Sequence, residues 1–204
     1  MSIVKVPVMG MVQGASKTDG RGADGRTAVR GGVAPMRQAE LLRYLVLAAQ
    51  REGNRRLTRE LHAIGLTPSQ SEVLRILGDH APLSLTGLGE LLVCESGTNP
   101  SRLVDRLVGA GLVQRGVDVD DRRHVTLNLT SAGRAAEEAV KVVEERLYAD
   151  LDAATGGLDL RPVIDTLRQL SAGELAGDAL QNRLSRARDR AATEVAAPGA
   201  GVDR

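Results

Sequence analysis

The run LTPSQSEVLRILGDHAPLSLTGLGELLVCESGTNPSRLVDRLVGAGLVQRGVDVDDRRHVTLNLTSAG, residues 66–133, decides the fold. It opens with Thr67-Pro68-Ser69-Gln70. Thr67 suits an N-cap, Pro68 the first helical position, and Gln70 the reciprocal end of a capping box. The helix that follows has Val73, Leu74 and Leu77 as its inward stripe, and Asp79 to Pro82 breaks it. Ser84 caps the next helix, which carries Leu85, Leu88, Leu91 and Leu92. Gly87 and Gly89 weaken it by roughly 1 kcal/mol each relative to Ala. Glu95 to Asn99 is a turn, with Asn99 as N-cap and Pro100 as first residue of a fourth helix. Leu103, Val104, Leu107 and Val108 are its apolar face, and Gly111 is its C′ residue. Two short strands then alternate, Leu112 to Arg115 and Val125 to Leu129. The polar tip Asp118-Val119-Asp120-Asp121-Arg122-Arg123 lies between them.

Working outward, Gln38 to Ile64 has helical spacing through Leu41, Leu42, Leu45, Val46, Leu57 and Leu61, with a wobble at Gly53, and Gly65 ends it. On the other side Thr130 caps a long helix with the stripe Ala135, Ala139, Val142, Val143, Leu147 and Leu151. Its Glu137, Glu138, Glu144 and Glu145 are expected outside, and Gly156-Gly157 stops it. A sixth helix carries Leu160, Val163, Ile164, Leu167 and Leu170, and weaker helical signal continues through Leu175, Leu180 and Leu184. The tails read as disordered: residues 1–35 are Gly-rich, and 191–204 are Ala-, Gly- and Pro-rich. Lys5, Pro7 and Gly10 interrupt the apolar run from Ile3 to Val12, which argues against a signal peptide. The expected organisation is therefore a tail at 1–35 and a dimerisation helix at 36–65. A winged helix-turn-helix lobe at 66–130, dimerisation helices at 131–190 and a tail at 191–204 complete it. The fold class is mainly α with a small β-hairpin.

Composition excludes several chemistries. The 204 residues include two Tyr and no Phe or Trp, so the core is aliphatic, which suits packed helices. One Cys allows neither an internal disulfide nor a multi-Cys metal site. His62, His80 and His124 stand on separate elements without paired ligand spacing, so no metal and no cofactor are expected. The Asp118, Asp120 and Asp121 cluster lacks the rest of a calcium loop. No run approaches the roughly 18 apolar residues of a membrane span. There is no P-loop, dinucleotide fingerprint or nucleophile–base pair, so an enzyme is not expected. The net charge of +1 is unevenly divided, with +4 in residues 1–37 and −2 in residues 66–130. Binding to nucleic acid therefore depends on a few placed Arg rather than on bulk charge.

A short helix-turn-helix followed at once by a charged hairpin is a winged helix, two probes on one core. A helix fits the major groove, and a hairpin reaches the backbone or a minor groove that attracts Arg. The candidate DNA-binding residues are Thr98, Asn99, Ser101, Arg102 and Arg106 around the fourth helix, with Arg122 and Arg123 at the hairpin tip. Arg102 lies in the first turn, the part of a recognition helix that meets base edges. Asp121 is the candidate that orients the wing arginines.

Residues 66–133 resemble the MarR family of bacterial transcriptional regulators. Leu66-Thr67-Pro68-Ser69-Gln70 resembles that family's second-helix start, and Arg102-Leu103-Val104-Asp105-Arg106-Leu107 with Gly111-Leu112-Val113 its recognition helix and exit. Asp120-Asp121-Arg122-Arg123 with Leu129-Thr130-Ser131-Ala132-Gly133 resembles its wing and the following cap, and the Asp-x-Arg wing motif falls on Asp121 and Arg123. The run Cys94-Glu95-Ser96-Gly97-Thr98-Asn99-Pro100 departs from the family pattern, one residue longer and with its proline at the helix start. The resemblance implies a dimer built by the first, fifth and sixth helices. It also implies repression relieved by a small ligand between that interface and the DNA-binding lobes.

Two other readings use the same residues. Cys94 is a candidate redox sensor, but Glu95 beside it raises a thiol pKa, which favours a buried structural cysteine. A winged helix can also be a protein-interaction module that never meets DNA, which the −2 charge of the lobe would suit. Arg at both probe positions favours DNA. The expected protein is a cytoplasmic homodimeric repressor on a palindromic double-stranded operator, with no membrane partner. Its effector is unidentified, in an aliphatic pocket with Tyr44 or Tyr148 as polar anchors if either faces it.

Overall fold

The computed structural model describes residues 36–94, 100–117 and 125–196. The chain order is α1 (Gln38–His62), α2 (Pro68–His80), β1 (Leu83–Ser84), α3 (Leu85–Gly89), α4 (Pro100–Gly109), β2 (Val113–Val117), β3 (Val125–Leu129), α5 (Ser131–Thr155), α6 (Arg161–Ser171) and α7 (Leu175–Ala196). The tails at 1–35 and 197–204 lie outside the described residues.

The start of α2 is the expected capping box. The Gln70 amide donates to Thr67 Oγ1 at 3.3 Å, and the Thr67 amide donates to Gln70 Oε1 at 3.0 Å. Ser84 Oγ likewise accepts from the Gly87 amide at 3.0 Å and starts α3. That helix is shorter than its apolar spacing suggests. It ends at Gly89, and Leu91 and Leu92 are buried from the turn beyond it. Gly53 does not interrupt α1. Ordered helix also extends past residue 190, where composition places the start of the C-terminal tail, as far as Ala196.

The sheet has three strands in the order β1-β3-β2, all antiparallel, so the expected hairpin gains a third strand. Leu83 pairs with Leu127, and Val113 pairs with Leu129. Two residues of strand are too short to leave a period in the sequence, which is why Leu83-Ser84 reads only as the break before a helix.

One core joins these elements. Leu61 of α1, Val73, Leu74, Ile76 and Leu77 of α2, Leu107 of α4, Leu127 of β3 and Val140 of α5 are almost wholly buried. The strand pair is tied to α5 by a compact knot. Gly111 turns the chain out of α4 with φ +71°, a conformation that a Cβ disfavours. Thr130 Oγ1 donates to the Gly111 carbonyl at 2.6 Å and accepts from the Gly133 amide at 2.9 Å. A Cβ on Gly133 would stand 1.9 Å from the Leu112 carbonyl oxygen, so α5 can start this close to the strand only on glycine.

The expected stripe of α5 is corrected. The helix buries Gly133, Glu137, Val140 and Val143, while Ala135, Val142 and Leu151 are exposed. Helical spacing places Glu137 in solvent, yet its side chain is 4% exposed, and that of Glu144 is 20% exposed. Both face Arg75 of α2. Arg75 Nη1 pairs with Glu137 Oε1, its Nε donates to Glu144 Oε2 at 3.0 Å, and Lys141 Nζ lies 3.0 Å from Glu137 Oε2. A buried carboxylate is tolerated when paired, and its partner sits far away in the chain. Burial pulls the Arg75 guanidinium down, but the Glu137 hydrogen bond and the charges of Asp79, Glu144 and Glu137 outweigh it and hold it above its ordinary value. Burial also pushes the Glu144 carboxyl up, against the opposing charge of Arg75.

Candidate nucleic-acid interface

Helix α4 is amphipathic in the way a recognition helix needs. Leu103, Val104 and Leu107 anchor it in the core. Arg102, Asp105, Arg106 and Gly109 are exposed, and spacings of three and four place them on one face. Its start at Pro100 agrees with the proline-led start read from the sequence. Ten residues make a rod of about 15 Å. That is long enough to lie in a major groove and short enough for its first turn to meet the bases.

Among the described residues, Arg102 and Arg106 take no part in an ion pair. Both guanidinium groups are therefore available to an anionic partner. Ser101 is half-buried beside Arg102. Thr98 and Asn99, before the helix, lie outside the described residues, as do Asp121, Arg122 and Arg123 at the wing tip and His124. The structure thus brings Ser101, Arg102 and Arg106 onto one short helix beside the root of the wing.

The root of the wing carries an ion pair that the sequence did not disclose. Arg115 Nη2 on β2 donates to Asp105 Oδ1 on α4 at 2.6 Å. Both side chains are about half exposed, so the pair contributes at most about 1 kcal/mol. Its consequence is geometric, because it fixes the strand that leads into the wing against the helix that bears Arg102. On the other strand, Arg134 Nη1 donates to the Leu129 carbonyl at 3.0 Å. Only Asp105, inside a motif, and Arg115, at an exposed strand position, gave any hint of this pair.

Cys94 is exposed, which corrects the reading of a buried structural cysteine. Its backbone amide donates to Glu72 Oε2 at 3.0 Å. His62 is exposed and His80 half-buried, and the described residues contain no cluster of three or more possible metal ligands. No described helix is long and apolar enough to cross a membrane.

A cleft of about 610 Å³ lies between α1 and α5. Leu57, Val143 and Leu147 supply its apolar wall, and Arg56, Arg59, Glu60, Arg146 and Asp150 its charged rim. Arg56 pairs with Asp150 across the two helices. Neither Tyr44 nor Tyr148 lines this cleft.

Known proteins share this arrangement. The MarR family profile matches residues 66–125. Over 103 residues the chain is 29% identical to the organic hydroperoxide resistance transcriptional regulator of Bacillus subtilis, covering 50% of this chain and 69% of that protein. The structure of a MarR variant from E. coli in complex with operator DNA superposes with a TM-score of 0.51 at 27% identity, covering 64% of this chain and 90% of the other. BpsR of Bordetella bronchiseptica, whose DNA binding is regulated by 6-hydroxynicotinic acid, shares the fold with a TM-score of 0.56 at 24% identity, covering 69% and 99%. These relatives are transcriptional regulators and not enzymes. With a three-stranded winged helix and an exposed arginine face on α4, residues 66–125 match the MarR family of transcriptional regulators, and the chain shares the fold of its solved members.

Proposed function

We propose that the chain is a homodimeric, sequence-specific DNA-binding repressor that a small ligand releases. The exposed, unpaired Arg102 and Arg106 on a helix otherwise locked into the core carry this reading. An Arg held at a fixed angle can place two donors on a guanine edge, and each such pairing contributes about 1–3 kcal/mol of discrimination. Thr98, Asn99 and Ser101 would flank it, and Arg122 and Arg123, oriented by Asp121, would reach the neighbouring groove. The family likeness to a MarR protein solved on its operator supports the same placement.

Two-fold symmetry follows from how little one lobe can hold. One short helix and one wing reach few bases and phosphates, and a dimer on a palindrome doubles them. The apolar residues of α1 and α6 supply a face for it: Leu41, Leu45, Val163, Ile164, Leu167 and Leu170 are all exposed. We assign the dimerisation regions to residues 36–65 and 131–190 accordingly. The α1–α5 cleft, apolar within and rimmed by three arginines and two carboxylates, leaves Arg59 and Arg146 to meet a small organic anion as the effector, and its position beside α1 would let a ligand alter the dimer. A regulator of this kind acts in the cytoplasm, where the DNA is.

Fragments of the source genome selected by the protein, followed by salt-series titration, test the reading. Arg102→Ala should cost about 1–3 kcal/mol on the selected site and far less on a scrambled duplex. Arg123→Ala should weaken both and flatten the dependence of log K on log salt by roughly one unit for each phosphate no longer neutralised. Unchanged affinity for both folded variants would leave a protein-interaction module as the reading.

A further inference from the structure

Glu72 lies on α2 among the core residues, with a side chain only 7% exposed. A buried carboxylate is costly unless donors surround it. Three do. The Val93 amide donates to Oε1 at 2.8 Å, the Cys94 amide to Oε2 at 3.0 Å, and Arg183 Nη1 to Oε1 at 3.1 Å. The two amides belong to successive residues of the segment that leads into α4. The guanidinium comes from α7, 111 positions along the chain. Helix α7 holds the same unit at two further points. Asn182 Nδ2 donates to the Glu90 carbonyl at 3.2 Å, and Arg190 Nη1 to the Asp79 carbonyl at 2.8 Å.

We propose that Glu72 is a positioning residue for the recognition helix and that α7, through Arg183, controls how firmly it holds. Both carboxylate oxygens are used on consecutive amides, so the plane of the peptide between Val93 and Cys94 is fixed relative to α2. The carboxylate stays inward because Arg183 balances its charge. Without Arg183 the buried charge has only amide dipoles for company, and hydration draws it away from them. Any movement of α7, the last described helix, therefore loosens the turn that follows α3. The turn after α3 is thus tied to α7, near the far end of the sequence. This proposal rests on the DNA-binding reading of α4 for its consequence, but the clamp itself can be observed without DNA.

The test uses the isotope-labelled full chain. Amide hydrogen exchange at Val93 and Cys94 is measured in wild type, Arg183→Met, Arg183→Lys and Glu72→Gln, alongside affinity for a selected operator. Arg190→Met serves as control, since it frees a different point of α7 and leaves Glu72 untouched. Arg183→Met should exchange both amides roughly tenfold faster or more, because it removes a charge-assisted hydrogen bond. It should also bind the operator roughly 3- to 10-fold more weakly. Arg183→Lys should restore much of both, and Arg190→Met should change them less than Arg183→Met does. If Arg183→Met does not fold, Glu72→Gln gives a second test, because its amide nitrogen cannot accept, so one of the two backbone amides must lose its partner and exchange faster. Unchanged exchange at Val93 and Cys94 in a folded variant overturns the clamp. Faster exchange with undiminished operator affinity overturns the positioning role. Faster exchange in a protein whose wild type selects no DNA supports the clamp and removes the DNA-binding reading instead.

Discussion

The winged lobe and α6 have leucine-rich stripes of the same kind and opposite fates. In the lobe, Leu74, Leu107 and Leu127 are at most 1% exposed. In α6 no residue is buried, and Val163, Leu167 and Leu170 are 55%, 41% and 60% exposed. The N-terminal half of α1 behaves like α6, with Leu41, Tyr44 and Leu45 exposed, while Leu61 at its other end is wholly buried in the lobe core. Burial is what stabilises an amphipathic helix, and α6 finds too little of it within one described chain. The difference separates a unit that closes on itself from helices whose apolar faces await a second surface. Exposed apolar stripes of this extent mark interaction sites, which the dimer proposed above would cover.

The largest expected effect lies where the lobe meets α5. Arg75→Ala leaves Glu137 buried with only Lys141 beside it and should cost about 3–5 kcal/mol in chemical denaturation. A loss below about 1 kcal/mol would mean that water reaches Glu137 and that the lobe is less closed than it looks.

One truncation made in both regions sharpens the comparison. Leu74→Ala should lower stability by about 2–5 kcal/mol at every protein concentration, since its cavity is internal. Leu167→Ala should change the dilute protein by less than about 0.5 kcal/mol, yet lower the melting temperature at high concentration, where the proposed dimer would form. Melting curves over a hundredfold range of concentration separate the two. A concentration-independent loss at Leu167 would show that α6 is covered within its own chain.

The smallest expected effect is a pH slope at the join of lobe and α7. Burial lowers the His80 pKa from its ordinary 6.5, Asp79 opposes this, and Arg186, Arg183 and Arg190 reinforce it. His80 lines a groove with Leu180, Leu184 and Ala187 as its floor. Because the folded value is depressed, the unfolded chain takes up the proton first. The contribution of His80 is present above pH 6.5 and is lost as pH falls through the lower folded value. The burial of Glu144 acts with the opposite sign and at lower pH, since a carboxyl whose folded pKa is raised favours the fold in acid. Comparing wild type with His80→Gln cancels that second effect. The variant should lose less stability between about pH 7.5 and about pH 5.5, and an identical slope would show that His80 is solvated.

Much of the fold was legible from local chemistry. Thr67, Pro68 and Gln70 specify a helix start within four residues, and Gly111 and Thr130 specify an exit and a start in the same way. Each is a contact between near neighbours in sequence, so the residues that make it stand side by side. The alternation of Val125 to Leu129 carried β3 for the same reason. On the candidate site, the sequence placed Arg102 and Arg106 on the outer face of α4, because a helix with Leu103, Val104 and Leu107 inward leaves them nowhere else to go. It did not disclose Arg115 on Asp105 or the exposure of Cys94, both of which depend on how a strand and a turn pack against another element.

The sequence by itself therefore determined the order of the main helices, the caps at Thr67, Ser84 and Thr130, and the two arginines that face outward. Only the tertiary structure decided which carboxylates go inside. Glu137 reads as a surface residue of an amphipathic helix and Glu72 gives no sign of burial, yet both are buried where Arg75 and Arg183 reach them from 62 and 111 positions away. A charge is admitted to a core by its partner, and no pattern within one helix records a partner that arrives from another.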